Sequence, residues 1–276
     1  MKILNKETLI DSGGIKIGAL LVLSPEIASK ARPGQFIVLM ASEKGERIPL
    51  TVVERDPSKG AIKLIFQEAG LTTKMLGAMK AGDSLYSIVG PLGHPTEIKK
   101  YGKVIIVGGG VGSAEIYPVA KAMKEAGNHV TTVLGARSKD LLILENELKG
   151  ASDEFYVATD DGSYGRKGFT TDILEDLLSK GKYDLVYSVG PIPMMKRSSM
   201  VTKKFNVKTI VSLNAIMVDA TGMCGCCRVT VDGKTYFSCV DGPEFDASLV
   251  DWEELIKRNR IYDDKEKHIC KLNIPK

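Results

Sequence analysis

The cysteines restrict the fold of this sequence most, because four of the five lie between Cys224 and Cys239. Three of them follow the spacing Cys224-x2-Cys227-x11-Cys239. Residues 228–237, between the second and third of these, have the pattern strand, Asp-Gly turn, strand. The resulting hairpin would carry Cys239 back to the other two. Thiolates from a tight turn and a returning strand can converge on one centre, so the spacing predicts a metal or iron–sulfur loop.

The fourth ligand of such a centre has two candidates. Cys226 is adjacent to Cys227, and neighbouring side chains of an extended segment point in opposite directions. Asp219 gives the pattern Asp-x4-Cys-x2-Cys, in which it stands where plant-type [2Fe-2S] proteins have their first cysteine. We expect a [2Fe-2S] cluster held by Asp219, Cys224, Cys227 and Cys239, with Cys226 as the alternative fourth ligand. A zinc site and a disulfide-rich turn are the other interpretations of these cysteines.

Length, charge and apolar content limit the number of domains, the kinds of partner and the location that can be expected. The 276 residues suffice for two domains with cores of their own. The net charge of +4 is spread along the chain and forms no clustered footprint for nucleic acid. We find neither a secretory leader in residues 1–6 nor an apolar run of membrane-spanning length. Clustered cysteines without a leader suit metal ligation in a reducing cytoplasm. We therefore expect a cytoplasmic protein without nucleic-acid or membrane partners, and we interpret Cys270 as a free thiol.

Residues 1–98 consist of short apolar stretches separated by glycine and proline, which predicts an antiparallel β-barrel or sandwich. Two segments of this domain suit an anion. In residues 47–51, Arg-Ile-Pro-Leu-Thr, the arginine is suited to bidentate phosphate contact, although a surface arginine is the simpler alternative. In residues 70–73, Gly-Leu-Thr-Thr, a glycine and two hydroxyls open a helix whose N-terminal N–H groups could bind an anion or be capped by the threonine. The expected strands are 17–23, 35–40, 50–54, 61–66 and 84–88, and the expected helix is 72–79.

The pattern changes at residue 103. Residues 104–107 form a continuous apolar run typical of a buried parallel strand, and a glycine-rich turn and a helix follow it. Such glycines let the backbone approach a pyrophosphate at the helix N-terminus, whereas a plain strand–helix turn is the simpler alternative. We expect Gly109, Gly110 and Gly112 to contact a dinucleotide.

Further strand–helix units follow as far as residue 214, which predicts a doubly wound parallel sheet over residues 99–214. Ligands of such sheets bind beyond the carboxyl ends of the strands, where Arg137, Asp161, Gly190 and Pro191 lie. An acidic residue after the second strand would favour NAD, whereas Arg137-Ser138-Lys139 could meet a 2′-phosphate or face solvent, so the choice between NAD and NADP stays open. The expected strands are 129–134, 154–158, 184–189 and 209–212, and the expected helices are 140–148, 170–179 and 194–204. Residues 215–276 would form the iron–sulfur hairpin, a short amphipathic helix over 251–259 and a charged tail.

Together these segments resemble the ferredoxin-reductase superfamily, and more closely the iron–sulfur electron-transfer subunits of bacterial dihydroorotate dehydrogenase and its relatives. Within that family the chain is most similar to the small subunits of NADH-dependent reduced ferredoxin:NADP oxidoreductases, also described as sulfide dehydrogenase subunits. The dihydroorotate relatives have cysteine where this chain has Asp219, and the bifurcating oxidoreductases resemble this chain there. The resemblance covers nearly the whole chain, and it rests on residues 47–51, 90–93, 108–114, 159–165 and 219–239.

The resemblance implies a barrel that binds FAD, a domain that binds NAD(H), and no side-chain general acid. Hydride would pass between the nicotinamide and the flavin, and single electrons between the flavin and the [2Fe-2S] cluster. One departure concerns Arg47, which is four residues before Thr51, whereas the superfamily places its arginine three residues before the hydroxyl. The residues implied at the flavin are Arg47, Pro49, Leu50, Thr51, Gly70, Thr72 and Thr73.

The resemblance also implies a larger partner subunit with a second flavin and [4Fe-4S] clusters. In that heterodimer, NADP would be reduced by NADH and reduced ferredoxin through flavin-based electron bifurcation. This chain has too few cysteines for those additional clusters. The alternatives are an electron-transfer subunit of a dihydroorotate dehydrogenase or sulfide dehydrogenase, and a zinc-stapled nucleotide-binding scaffold.

Overall fold

The structure is a computed structural model that describes residues 1–263 and residue 265. Cys270, interpreted above as a free thiol, lies outside the described residues. The chain divides into two compact units. The first consists of residues 1–93, residues 215–241 and the described residues from 251 onward; the second consists of residues 94–214 and 242–250.

The first unit begins with antiparallel strands and two short helices. In chain order they are β1 (Ile3–Ser12), β2 (Ile15–Leu23), α1 (Pro25–Lys30), β3 (Phe36–Met40), β4 (Ile48–Thr51), β5 (Glu54–Asp56), β6 (Ala61–Gln67), α2 (Leu71–Ala78) and β7 (Ser87–Leu92). They form a four-stranded sheet in the order β1-β2-β6-β5 and a three-stranded sheet in the order β4-β3-β7. Both sheets supply alternate side chains to one core, among them Leu20 and Leu64 from the first and Ile37, Leu39 and Ile88 from the second.

Three elements of this region differ from the sequence prediction. The expected strand 50–54 is two strands, β4 and β5, which belong to different sheets. Strand β1 was not predicted, although the signal was present: Gly13 and Gly14 both have positive φ and form the two-residue turn of the β1–β2 hairpin. Helix α1 was also missed, and Pro25 at its first position is a recognised helix-start signal.

The second unit is built around one mostly parallel sheet. Its elements are β8 (Lys103–Gly109), α3 (Gly112–Glu125), β9 (His129–Ala136), α4 (Glu145–Gly150), β10 (Glu154–Thr159), β11 (Arg166–Lys167), α5 (Thr170–Lys180), β12 (Leu185–Val189), α6 (Ile192–Lys204) and β13 (Thr209–Ser212). The side chains of residues 104–107 in β8 are fully buried, as expected for a central parallel strand. The strand order is β11-β10-β9-β8-β12-β13, followed by one further edge strand.

The remaining elements include the hairpin that the four described cysteines flank. They are β14 (Arg228–Val231), β15 (Lys234–Phe237), β16 (Glu244–Asp246) and α7 (Trp252–Asn259). The predicted hairpin is confirmed, with Asp232 and Gly233 at positive φ in its turn. The predicted C-terminal helix is also confirmed, and the Asp251 side chain caps it by accepting a hydrogen bond from the Glu254 amide at 3.0 Å.

Two differences concern the parallel-sheet unit. The expected helix 140–148 is wrong: a short 3-10 turn over Lys139–Leu141 comes first, and α4 begins only at Glu145, after Leu144 with a φ of 56°. Strand β16 was not predicted, and it pairs antiparallel with β13 so that Glu244 lies opposite Ser212. A three-residue strand lacks a detectable period, and only its partner makes it a strand.

Partly buried hydrogen bonds hold β16 at the edge of this sheet. The Glu244 carboxylate accepts hydrogen bonds from the Tyr187 hydroxyl at 2.7 Å and from the Thr96 hydroxyl at 2.5 Å. Tyr187 is 1% exposed, and burial raises the pKa of Glu244. A carboxyl group in this position needs its donors, because an unsatisfied buried acceptor is costly.

Within the described residues, every helix is too short or too polar to cross a lipid bilayer.

We expect Tyr187→Phe to lower the free energy of unfolding by about 1–2 kcal/mol, because it removes one of the two donors to buried Glu244. Tyr156→Phe is the matched control, since it removes a hydrogen bond from an exposed tyrosine to Glu154. That variant should stay within about 0.5 kcal/mol of the parent. Urea unfolding followed by circular dichroism measures both values. Equal losses in the two variants would contradict a structural role for the Glu244 hydrogen bonds.

Candidate functional site

Asp219 organises the loop that precedes the first cysteine. Its carboxylate accepts hydrogen bonds from the Thr221 amide through Oδ1 and from the Cys224 amide through Oδ2, each at 2.9 Å. These bonds hold the pKa of Asp219 below its usual value, so the group is a carboxylate at neutral pH. Positive φ angles at Ala220, Gly222 and Gly225 let the loop turn tightly around it.

Two of the cysteine thiols meet beneath this loop. Cys227 and Cys239 are 2% and 1% exposed, and their Sγ atoms lie 3.2 Å apart. The Cys239 amide donates to the Cys227 Sγ at 3.4 Å, and the Gly222 amide donates to the Cys239 thiol. Amide donors aimed at sulfur favour the thiolate form, which is the form that binds metals.

The other two cysteines lie further out. Cys224 is exposed, and Cys226 is partly buried with its thiol against Cys224. The Cys226 carbonyl accepts a hydrogen bond from the Arg258 guanidinium on α7 at 3.0 Å, which fixes the backbone of this turn. Across the residues that the structure describes, no group of three or more His, Cys, Asp or Glu side chains is already arranged around an ion.

The donor set nevertheless suits a thiolate-bound iron centre. Burial and the neighbouring Cys227 thiol raise the pKa of Cys239 to about 12, so the Cys239 thiol is protonated and a metal would have to displace its proton. The buried sulfurs, the amide donors and the exposed Cys224 at the loop surface fit a centre bound at one rim of the unit. Each Asp219 oxygen has a second lone pair free for a ligand bond, and both Asp219 and Cys226 remain candidate fourth ligands.

The glycine-rich turn of the parallel sheet also has the predicted form. Strand β8 ends at Gly109, Gly110 has a φ of 59°, and α3 begins at Gly112. A Cβ atom added at Gly112 would lie 2.7 Å from the Val189 carbonyl oxygen and 2.9 Å from the Gly190 Cα. The turn after β8 therefore packs directly against the end of β12, and only glycine permits this contact.

The predicted residues beyond the carboxyl ends of the strands form two groups. Gly112 lies against Gly190, and a Cβ atom on Gly109 would be 3.4 Å from Pro191, whereas a Cβ atom on Gly110 would meet no atom within 4 Å. In the loops that follow β9 and β10, the Asp161 amide donates to the Arg137 carbonyl at 3.2 Å.

Arg137 and Asp161 differ in what they offer a ligand. The Arg137 side chain is exposed. The Asp161 carboxylate accepts hydrogen bonds from the Ser163 amide and hydroxyl, which lower its pKa. Both loops follow strands on the β9–β10 side of the sheet, so they suit one end of a bound dinucleotide.

One carboxyl group at this edge was not found by the sequence analysis. Glu115 lies in the first turn of α3, and the Ser212 hydroxyl at the end of β13 donates to its Oε2 at 3.5 Å. Burial and, to a smaller extent, the nearby Glu244 carboxylate together raise the pKa of Glu115 to about 7. The available signal was an acidic residue directly after the glycine turn.

Glu46 joins the two segments of the first unit that were predicted to bind an anion, residues 47–51 and 70–73. Its carboxylate accepts a hydrogen bond at 2.7 Å from the hydroxyl of Thr72, which lies in the first turn of α2. This bond places the chain that leads to exposed Arg47 beside the start of that helix. Gly70 caps the helix in extended conformation, and the Thr73 hydroxyl bonds to its backbone.

The side chains of β4 point alternately to the two faces of its sheet. Ile48 and Leu50 pack against the core of the unit. Because side chains alternate along a strand, Arg47, Pro49 and Thr51 share the opposite face. Pro49 and Thr51 can therefore make the predicted contacts to a ligand. Leu50 points toward the core.

Two family models match the chain in the regions just described. Residues 106–199 match the oxidoreductase NAD-binding domain. Residues 214–251 match the iron–sulfur cluster binding domain of dihydroorotate dehydrogenase B. The β8–α3 turn lies in the first match, and the cysteine loop lies in the second.

Known proteins match over much greater lengths. The dihydroorotate dehydrogenase B (NAD(+)) electron transfer subunit homolog of Thermotoga maritima is 53% identical over 88% of this chain and 86% of its own length. A chain of NADH-dependent reduced ferredoxin-NADP oxidoreductase, solved for insight into flavin-based electron bifurcation, is 49% identical with a TM-score of 0.91, covering 97% of this chain and 95% of its own. The cytochrome P450 reductase of Amycolatopsis is 21% identical with a TM-score of 0.60, covering 74% of this chain and 65% of its own, which shows the shared fold alone.

The fold and these domains define an oxidoreductase electron-transfer subunit with a ferredoxin-reductase-like fold, an NAD-binding domain and an iron–sulfur-binding domain. The chain belongs to the family of dihydroorotate dehydrogenase B electron-transfer subunits and their homologues. The resemblance found in the sequence is confirmed at this level.

We expect Gly112→Ala to weaken NADH binding by at least about tenfold, because the new methyl group would displace the turn from the end of β12. Gly150→Ala is the matched control, since an added Cβ there meets no atom within 4 Å. It should bind NADH like the parent and be slightly more stable, because alanine favours a helix over glycine. Titration calorimetry measures binding, and thermal unfolding shows that both variants fold. Parent-like NADH binding by Gly112→Ala would refute the close-approach argument.

Proposed function

We propose that this chain is the electron-transfer flavoprotein subunit of an NADH-dependent ferredoxin:NADP oxidoreductase, a complex that performs flavin-based electron bifurcation. It would move electrons between NAD(H), FAD and a [2Fe-2S] cluster. The observation that carries this proposal is the match over nearly the whole chain, in sequence and in structure, to a chain of such an oxidoreductase. Asp219 supports it further, because the resemblance drawn from the sequence implies a cysteine at this position in the dihydroorotate relatives and an acidic residue in the bifurcating oxidoreductases.

The proposal assigns three functional regions. Residues 1–98 form an FAD-binding β-barrel from the two antiparallel sheets. Residues 99–214 form the NAD(P)-binding α/β domain. Residues 215–276 hold the [2Fe-2S] cluster and end in the C-terminal tail.

In the FAD-binding region, the chain's own groups bind and orient the cofactor. Arg47 would bind the pyrophosphate together with the first-turn amides of α2 and the residues Gly70, Thr72 and Thr73. Pro49 and Thr51 lie on the face of β4 that is open to the flavin ring, and Leu50 supports that strand from the core side. For Thr72 to contact FAD, its hydroxyl must leave Glu46, to which it donates here.

In the cluster region, Asp219, Cys224, Cys227 and Cys239 are the proposed ligands. The flavin would accept hydride from NADH, and the cluster would carry electrons one at a time. The protein supplies sulfur ligands, amide donors and burial, and we assign no catalytic side chain. Cysteines clustered for metal ligation suit a reducing cytoplasm.

A larger flavin/[4Fe-4S] subunit is the proposed partner, forming a heterodimer through which ferredoxin exchanges electrons. Apolar side chains surround the exposed end of the cysteine loop: Met223 is 87% exposed, Val218 47% and Val240 39%. A Cβ atom at Gly222 would lie 3.1 Å from Val240, so Val240 belongs to the same surface as the loop. Exposed apolar groups next to a candidate redox centre suit a partner that covers them.

A dihydroorotate dehydrogenase is the second candidate complex, and the Thermotoga maritima relative named as a homolog of its electron-transfer subunit favours it. A sulfide dehydrogenase is a further alternative. The copurifying partner and its substrate separate these complexes, since this chain alone would contain the same cofactors in each.

The first test is an optical and EPR spectrum of the chain purified without oxygen, before and after NADH is added. We expect flavin absorption that NADH bleaches and a rhombic EPR signal of a reduced [2Fe-2S] centre. A parallel titration with NADPH measures the preference between the two nucleotides. A colourless protein that contains zinc would overturn the electron-transfer proposal and leave a zinc-stapled scaffold.

Single substitutions identify the fourth ligand of the cluster. If Asp219 is a ligand, Asp219→Ala should reduce bound iron to less than about a third of the parent, because it also removes both loop hydrogen bonds. Asp219→Cys should restore iron with a shifted EPR spectrum, which a purely structural role would not predict. Cys226→Ser is the matched control and should retain parent-like iron and spectrum. Loss of iron in Cys226→Ser with an unchanged Asp219→Ala spectrum would reverse the assignment.

A further inference from the structure

The parallel sheet has one point at which its strand order reverses. Strand β8 is central, β9 and β10 follow on one side, and β12 and β13 lie on the other. Dinucleotides bind across such a reversal, at the carboxyl ends of the strands. Arg137 and Asp161 lie on the β9–β10 side, so the nicotinamide half of NAD(H) belongs above β12 and β13.

Glu115 lies on that half of the sheet edge. Helix α3 begins at Gly112, directly against the end of β12, and Glu115 lies one turn further along. Its Oε2 accepts a hydrogen bond from Ser212, the last residue of β13, so the side chain extends across β12 to the neighbouring strand. As a residue, Glu115 is partly exposed.

The surroundings of Glu115 contain no compensating cation. The titratable groups that act on it are Glu244 on β16, which raises its pKa, and Tyr187 on β12, whose own pKa Glu115 raises. Lysine, arginine and histidine are absent from the groups of the described chain that shift the Glu115 pKa. With a pKa of about 7, Glu115 changes charge near neutral pH.

The two forms of the substrate differ in charge at this end. The nicotinamide ring of NAD⁺ is positively charged, and the dihydronicotinamide ring of NADH is neutral. An ionised carboxylate next to the ring favours the cation, whereas a protonated carboxyl group does not distinguish the two by charge.

We propose that Glu115, supported by Ser212, is a specificity residue at the nicotinamide end of the dinucleotide site and that it distinguishes NAD⁺ from NADH by charge. This proposal rests on the NAD(H) site of the proposed function. Above pH 7 the ionised carboxylate stabilises bound NAD⁺ and so assists retention of the oxidised product. Below pH 7 the neutral carboxyl group removes that advantage. Binding of NAD⁺ near neutral pH consequently releases a proton from Glu115.

Three ligands separate the ring from the rest of the dinucleotide. NAD⁺ has the charged ring, 1,4,5,6-tetrahydro-NAD has a neutral ring that cannot donate hydride to the flavin, and ADP-ribose has no nicotinamide. Titration calorimetry of the intact chain at pH 6, 7 and 8 gives the dissociation constant of each. Buffers of different ionisation enthalpy give the number of protons released.

We expect the preference for NAD⁺ over the tetrahydro analogue to increase by about three- to tenfold between pH 6 and pH 8, as for a partly exposed charge pair. NAD⁺ binding should release a fraction of a proton at pH 7. ADP-ribose binding should release no proton from Glu115. Glu115→Gln should abolish both the pH-dependent preference and the proton release while it still binds ADP-ribose.

Glu125→Gln is the matched control, because it removes an exposed carboxylate from the other end of the same helix. It should behave like the parent in every titration. A Glu115→Gln variant that keeps the parent's pH-dependent preference and proton release overturns this proposal but leaves the NAD(H) site intact. If the parent binds none of the three ligands, the NAD(H) site of the proposed function fails, and this proposal fails with it.

Discussion

The contact of Gly112 with the end of β12 is the constraint on which the dinucleotide end of this protein depends. Through backbone atoms alone, it joins the β8–α3 unit to β12, which lies on the other side of the point where the strand order reverses. No side chain can occupy that space, so the N-terminus of α3 lies directly over the crevice. The same contact fixes the direction in which Glu115 extends, and it sets Gly190 and Pro191 against the glycine turn. One close approach therefore positions both the backbone that would face a pyrophosphate and the carboxyl group that would face a nicotinamide.

The iron–sulfur loop depends on a different kind of interaction. Asp219 uses both carboxylate oxygens to hold the loop amides, while the β14–β15 hairpin returns Cys239 to Cys227. The chain beyond this loop then leaves the first unit: residues 242–250 join the second unit, where β16 pairs with β13. Glu244 secures that edge strand from within, through Tyr187 and Thr96. The cysteine-bearing segment is thus followed in the chain by a strand that is integrated into the nucleotide-binding sheet.

Sequence patterns predicted most of the regular elements, because their signals are local. The apolar run of β8, the hairpin around Asp232-Gly233 and the helix beginning after Asp251 each contain their own period or turn residue. Strand β1 and helix α1 were missed although their local signals were present, and two further errors occurred where the deciding contact is distant. Residues 50–54 read as one strand, yet β4 and β5 pair with different partners. Strand β16 is too short to have a period, and its pairing with β13 alone makes it a strand.

The sequence by itself determined the chemistry that is available: the thiol spacing, the glycine turn after a buried strand, and the order of the segments that identify the family. These are covalent facts, since a spacing of two or eleven residues is the same in any conformation. Only the tertiary structure decided which groups act together. It paired Glu46 with Thr72, placed Glu115 against Ser212, and gave Glu115 and Glu244 pKa values above those of free carboxyl groups. A pKa shift arises from desolvation and from neighbouring charge, and both depend on residues that are far apart in the chain.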